Sequence, residues 1–352
     1  GEEEEEGAEV AVKVMYPEAK KLFRSDLNTM RKFFKLAQPE YVAVLDEIEK
    51  QFLTEFDYRA EAQALLDVGK NMQRYAKHVA VPRPVLGLTT DRVLVMEYLP
   101  GSKVLVGFRE RYLSLFATAA AGGGKETVAA AAAADMRSPI MTATDIGVLY
   151  RAAVRAKTAF HAKRHSKKLM RRLVAVHGHQ VLVDGCFNGD PHPGNILLLG
   201  DGRLGLVDWG QCKRLSASER KDLAELVLAM ADGDRPRIIE KFVEMGFTTK
   251  YMDEDVIEAM AHLYFNKDDD EFCGYMSPQL FLESLQKRDP VKTVPDQFVM
   301  ASRASSLLRG LGYFFGLKVH IAKEWRPIAQ AVVDDYYKTH KASSGVAEVA
   351  QV

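Results

Sequence analysis

Cysteine is scarce: three in 352 residues, Cys186, Cys212 and Cys273, odd in number and widely spaced. They make neither a disulfide framework nor a metal knuckle, which reads as a reducing compartment. An excess of charge of one sign is also missing. The 48 Lys and Arg balance 48 Asp and Glu, so no global field points to nucleic acid or to an anionic membrane. No apolar run reaches the ~18 residues that a bilayer-spanning helix needs. Two glycine-rich stretches fail as phosphate loops. Gly122-Gly123-Gly124 follows no strand and opens no helix, and the stretch Arg309–Gly316 has one residue too many before its third glycine and no strand ahead of it. His161 and His165 are spaced as helical metal ligands are, but no third ligand accompanies them. The chain opens on Gly1 rather than Met, which reads as a fragment whose targeting peptide or anchor would lie upstream. What is left is an ordinary globular composition, 47% apolar and 27% charged, long enough for two domains or one two-lobed unit.

Against these absences stands one dense stretch, Phe187-Asn188-Gly189-Asp190-Pro191-His192-Pro193-Gly194-Asn195, followed by Asp208-Trp209-Gly210. Asp190 and Asn195 have the spacing of a kinase catalytic loop, and Asp208 stands where a kinase keeps the metal-binding Asp of Asp-Phe-Gly. Between them Ile196–Leu199 and Leu204–Val207 read as two short strands joined by a turn at Gly200-Asp201-Gly202-Arg203. Such a hairpin brings Asn195 and Asp208 together at its open end. Two oxygen ligands so placed suit Mg²⁺, which takes one or two carboxylates plus substrate phosphates. Asp190 then faces the transferred phosphoryl group as the base that orients the nucleophile.

Upstream, Val10-Ala11-Val12-Lys13-Val14 places one lysine in an apolar strand and matches the Val-Ala-Ile-Lys pattern, whose amine holds the ATP α/β-phosphates and pairs with a helix Glu. A helix is expected from Pro17 to about Ala37, and a second apolar period runs from Tyr41 to Phe56. Glu55 shares the flank of that buried face and is the expected carboxylate partner of Lys13, 42 residues away. Arg92–Tyr98 reads as the strand that leads to the adenine hinge, with Met96 lining the pocket and the backbone of Glu97 to Leu99 supplying hydrogen bonds. The basic stretch from Lys163 to Arg172 reads as a solvated helix face. Beyond Gly210 the apolar spacing is helical almost throughout, near Ser216–Met230, Arg235–Phe242, Asp253–Phe265, Pro295–Leu308 and Ile321–Lys338.

The set Val-Ala-Val-Lys13-Val-Met-Tyr-Pro, Glu55-Phe-Asp57-Tyr-Arg-Ala-Glu61-Ala and Asp190-Pro-His-Pro-Gly-Asn195 with Asp208-Trp-Gly resembles the UbiB-type, aarF-domain-containing atypical kinases, the coenzyme Q-associated kinase-like family. The resemblance covers roughly Val10 to Tyr337. It implies an α+β, bilobal kinase-like fold that binds ATP and Mg²⁺. Lys13 would contact phosphates and pair with Glu55, Asp57 and Glu61 would face the nucleotide, Asp190 would be catalytic, and Asn195 and Asp208 would hold the metal. It also implies a link to ubiquinone or other prenyl-lipid metabolism in a mitochondrion or plastid and partners from a lipid or prenylquinone pathway; with no spanning segment in this chain, peripheral membrane association stays open. A nucleotide-binding pseudokinase scaffold and a small-molecule phosphotransferase are the alternatives. The chain departs from the family in lacking its Lys-x-Gly-Gln motif and Ala-rich phosphate loop, in Asn188-Gly189 where His-Ala is usual, in Trp209 for Phe, and in having no Ala-Pro-Glu after Asp208.

The expected organisation is an acidic start at 1–9, an N-lobe at 10–101, a low-complexity Ala/Gly insertion at 117–144, a helical C-lobe at 145–340 and a tail at 341–352.

Overall fold

The computed structural model describes residues 9–37, 49, 56–108, 110 and 143–349. The N-lobe begins with strand β1 (Val10–Val14) and helix α1 (Ala19–Ala37). In β1 the usual alternation is turned over: Lys13 and Ala11 face the half-buried side, while Val10, Val12 and Val14 are exposed, Val12 at 55%. Helix α2 (Tyr58–Asn71) buries Tyr58, Glu61, Ala62, Leu65 and Val68, a stripe of helical period along one face. Strand β2 (Val79–Ala80) follows, then β3 (Val93–Glu97), which pairs antiparallel with β1 and sets Lys13 opposite Leu94, and then β4 (Gly101–Lys103).

Helix α3 (Ala143–Gly178) passes into a π-helical segment, His179–Asp184, closed by Gly185 at φ 62°, a left-handed turn suited to glycine. Strand β5 (Cys186–Asn188) leads into the catalytic-loop stretch. The expected hairpin is present as β6 (Ile196–Leu199) and β7 (Leu204–Leu206), with Gly202 at φ 84° in the turn. Strand β8 (Cys212–Arg214) returns antiparallel to β5. The remainder is helical: α4 (Ala217–Asp232) with a Ser216/Glu219 capping box, α5 (Arg235–Glu244), α6 (Glu254–Phe265), α7 (Pro278–Arg288), α8 (Asp296–Phe314) and α9 (Ile321–Val349). A two-stranded ribbon, β9 (Thr248–Thr249) with β10 (Val291–Thr293), ties two of the connections.

The lobes share a sheet. β2 and β4, from the N-terminal half, flank the hairpin in the order β2-β7-β6-β4, with Val79 against Leu204 and Gly101 against Leu199. One apolar core runs from Tyr58 and Leu65 of α2 through Leu94, Leu173, Phe187 and Trp209 to Trp325 of α9. No described helix is long and apolar enough to cross a membrane. Helix α7 was not expected, and α9 continues past the point near Ala342 where the apolar period fades. Glu55, the period from Tyr41 to Phe52 and most of the low-complexity insertion lie outside the described residues.

Candidate active site

Lys13 is the centre of the site. Its Nζ lies 2.9 Å from Glu61 Oε2, 3.1 Å from Glu61 Oε1 and 3.4 Å from Asp208 Oδ1, and it sits over the Tyr58 ring at 5.1 Å from the centroid. Among the described residues the carboxylate partner of the lysine is Glu61; Glu55, the expected partner, lies outside them. The reason is the inward stripe of α2: Glu61 stands one turn after buried Tyr58 and is itself 3% exposed. Glu61 Oε1 also accepts the backbone N–H of Trp209 at 3.3 Å, so one buried carboxylate joins β1, α2 and the segment after β7. Burial opposes the charge on Lys13, but Glu61 and Asp208 outweigh it and hold the ammonium above its ordinary range. Burial raises the Glu61 carboxyl, and the ammonium opposes that rise.

Below the lysine the catalytic-loop stretch is held by its own polar groups. Asn188 Nδ2 donates to the Asp208 carbonyl at 2.6 Å, and Asn188 Oδ1 accepts the N–H of Asp190 at 2.8 Å. His192 Nδ1 accepts the N–H of Gly194 at 3.0 Å, and the His192 carbonyl accepts the N–H of Asn195 at 2.8 Å. The Asn195 carbonyl takes the N–H of Val207 at 3.2 Å, which closes the open end of the β6–β7 hairpin and brings Asn195 near Asp208, as the two-strand reading requires. Asp208 Oδ1 accepts the Gly210 N–H at 3.2 Å. Trp209, 1% exposed, donates from Nε1 to the Leu206 carbonyl at 3.1 Å and packs behind the turn.

These groups open on a cavity of about 290 Å³ lined by Lys13, Tyr16, Tyr58, Asn188, Asp190, Asn195 and Asp208 among others. The oxygen donors of Asn195 and Asp208 in one cavity are the donor chemistry of a hard cation shared with a phosphate ligand. Among the described residues no group of three or more His, Cys, Asp or Glu is placed to hold a metal unaided.

Four expected contributors sit elsewhere. Asp57 is the N-cap of α2, accepting the N–H groups of Arg59 and Ala60, so its carboxylate serves the helix end rather than the cavity. Met96 lies on β3, packs against the core and does not line the Lys13 cavity. Glu97 and Leu99 line a separate cavity of about 440 Å³ bounded by α2, β2 and Arg203. Both edges of β3 are occupied: the Glu97 N–H donates to the Arg83 carbonyl and the Tyr98 N–H to the Glu9 carbonyl, so neither amide is free for a base. One neighbour was not foreseen. Arg303 of α8 reaches Asp190 Oδ2 at 3.4 Å and donates to Gln211 Oε1 at 3.1 Å. It lies more than a hundred residues from the catalytic stretch, on a helix with no motif of its own.

A family model described as the ABC1 atypical kinase-like domain matches residues 2–117 and 141–242. Protein ACTIVITY OF BC1 COMPLEX KINASE 8, chloroplastic, of Arabidopsis thaliana is 24% identical over 92% of this chain and 42% of its own length. A probable protein kinase UbiB of Aliivibrio fischeri is 24% identical over 68% of this chain and 37% of its own. Among solved structures, the complex of Rv3197 with erythromycin from Mycobacterium tuberculosis matches at 18% identity and TM-score 0.48, over 88% of this chain and 71% of that one. The chain thus spans less than half the length of these two curated relatives. The fold is the bilobal α+β arrangement of a kinase, and the chain belongs to the ABC1 atypical kinase-like family, which includes the UbiB-type proteins.

Proposed function

We propose that the chain binds Mg-ATP in the Lys13 cavity and transfers or hydrolyses its terminal phosphoryl group. The observation that carries this reading is the placement of one buried-side lysine within 3.4 Å of two carboxylates from distant parts of the chain, directly above Asp190 and Asn195. Phosphoryl transfer needs positioning and charge neutralisation more than covalent chemistry, and each residue has one such task. Glu61 fixes the Lys13 amine so that it meets phosphate oxygens. Asp190 orients an acceptor hydroxyl or water and receives its proton. Asn195 and Asp208 would hold Mg²⁺, which when bound neutralises charge on the phosphates.

The relatives support a setting. Three from Arabidopsis thaliana are named chloroplastic, which supports a plastid location, and the UbiB resemblance supports a role in ubiquinone or other prenyl-lipid metabolism. The test is Asp208→Asn. Magnesium-dependent ATP turnover is expected to fall by a hundredfold or more, on the order of what removing one charge-stabilising group costs. Turnover at the level of the parent would remove Asp208 from the site. Stabilisation of the parent by Mg-ATP without turnover would make the chain a nucleotide-binding pseudokinase instead.

A further inference from the structure

The three cysteines are not equally isolated in space. Cys186 opens β5 and Cys212 opens β8, and their sulfurs are 3.3 Å apart. The register pairs Asn188 with Cys212 and Cys186 with Arg214, so the two cysteines are diagonal neighbours on one face of the ribbon. A disulfide needs its sulfurs at about 2.05 Å, so the gap closes with a movement of roughly 1.2 Å. Both are free thiols; Cys186 is 2% exposed and Cys212 half-buried. The position is also pointed. Cys186 stands four residues before Asp190 and Cys212 four after Asp208, and the residue opposite Cys212 is Asn188, the one that ties Asp208 to the catalytic loop.

We propose that Cys186 and Cys212 form a reversible disulfide whose closure displaces the Asn188 brace and weakens Mg-nucleotide binding; the effect on nucleotide rests on the function proposed above. The oxidant is a hydroperoxide. The Cys186 thiolate attacks one peroxide oxygen, the O–O bond breaks, and the departing oxygen leaves as water after taking the thiol proton. Cys186 is then a sulfenic acid. The Cys212 sulfur attacks Cys186 Sγ, the S–S bond forms, the S–O bond breaks, and the hydroxyl leaves as a second water with the Cys212 proton. Two thiols and one hydrogen peroxide give one disulfide and two waters. An external dithiol reverses it by two exchange steps. The chemistry of the pair favours the first step: the hydrogen bond shared with Cys212 holds the Cys186 thiol below the ordinary cysteine range, with burial opposing and the Arg214 guanidinium assisting. Arg214 is itself fixed by an ion pair with Asp67. Cys273 is buried, with its thiol pushed up to about 11 by burial, and serves as an internal control.

The test exposes the reduced full chain to graded hydrogen peroxide, blocks remaining thiols with N-ethylmaleimide under denaturing conditions and maps the peptides by mass. A Cys186–Cys212 linked peptide is expected while Cys273 is still alkylated, and dithiothreitol removes it. In parallel, the Kd for Mg-ATP is measured by thermal shift in each redox form. Oxidation is expected to raise it about fivefold or more, the lower end of ordinary coupling between sites. Cys212→Ser is expected to bind as the reduced parent does and to ignore peroxide. Oxidation of Cys273 ahead of the linked peptide, or a linked peptide with an unchanged Kd, overturns the proposal. Failure of the reduced chain to bind Mg-ATP overturns the nucleotide reading and the regulatory effect with it. The linked-peptide measurement needs no nucleotide, so the two failures are distinguishable.

Discussion

Asn188 shows how one side chain can tie two segments of the site together. The family resemblance implies a histidine at this position, so by that reading a bracing group would be gone. In the fold its amide does two things at once: it donates to the Asp208 carbonyl and accepts from the Asp190 backbone, linking the residue proposed as base to a residue proposed to hold the metal. A two-ended polar group within reach of both is enough, and asparagine has both ends. Asn188→Ala is expected to lower turnover by about a hundredfold, the scale that misplacement of about 1 Å produces, while leaving the Lys13–Glu61 pair intact. Asn188→His restores the donor and is expected to recover part of the loss. Equal turnover in the parent and Asn188→Ala, measured at saturating Mg-ATP, would show that the loop holds its shape without the brace. At this scale the sequence is legible where spacing is local and blind where it is not. Asn195 and Asp208 could be placed together because a hairpin relates them, and Asp190 because it stands five residues before Asn195. The pairing of Glu61 with Lys13 depends on how α2 is rotated against β1, which no linear spacing states. The inverted alternation of β1, with valines outside and lysine inside, is the structural mark that Lys13 is more than a surface residue. Arg303 could not be found from the sequence, because its only link to Asp190 is spatial.

At the scale of elements, the helices were legible where their apolar stripes are broad. Helix α7 was missed because Leu285 is its only buried residue, although Ser277 at the N-cap and Pro278 at the first turn are sound start signals. Helix α3 carries a further consequence. Near its end His177 is fully buried, with Nδ1 2.9 Å from the Leu173 carbonyl, and borders a water-sized space beside Asn188, Asn195 and Trp209. Burial lowers its pKa to about 4. Protonation therefore favours the unfolded chain. The stability that neutral His177 contributes is present above the unfolded value near 6.5 and is lost as pH falls toward 4, on the order of 3 kcal/mol by that point. His262, also held at about 4, by burial and by Lys267, adds a parallel loss. His177→Gln keeps a donor for Leu173 and cannot titrate. Its urea midpoint is expected to fall less between pH 7 and pH 4.5 than that of the parent, by about half the acid slope if the two histidines contribute alike. An unchanged slope would show that the parent His177 does not stay neutral in the fold.

For the molecule as a whole, the decisive feature is that the lobes are not merely hinged. β2 and β4 belong in sequence to the N-terminal half, yet both are built into the sheet of the β6–β7 hairpin, and the core passes without a break from α2 to α9. The two-lobed, α+β organisation could be read from motif order, but this sharing could not, because strands of two and three residues carry no apolar period. Cooperative loss of both lobes in one transition is the physical consequence. Gly101 is where the junction has least room: a Cβ there would lie 2.7 Å from Leu199 Cδ2 and 2.9 Å from the Leu198 carbonyl oxygen, and the backbone atom cannot rotate away. Gly101→Ala must push β4 from β6, a strain of about 1–3 kcal/mol. The expected result is a single unfolding transition at lower denaturant, together with weaker Mg-ATP binding, since Lys13 and Glu61 above the junction lose their register with Asp190 and Asp208 below it. Weakened nucleotide binding with unchanged stability, or a separate early transition of the N-lobe, would show that the shared sheet does not couple the halves.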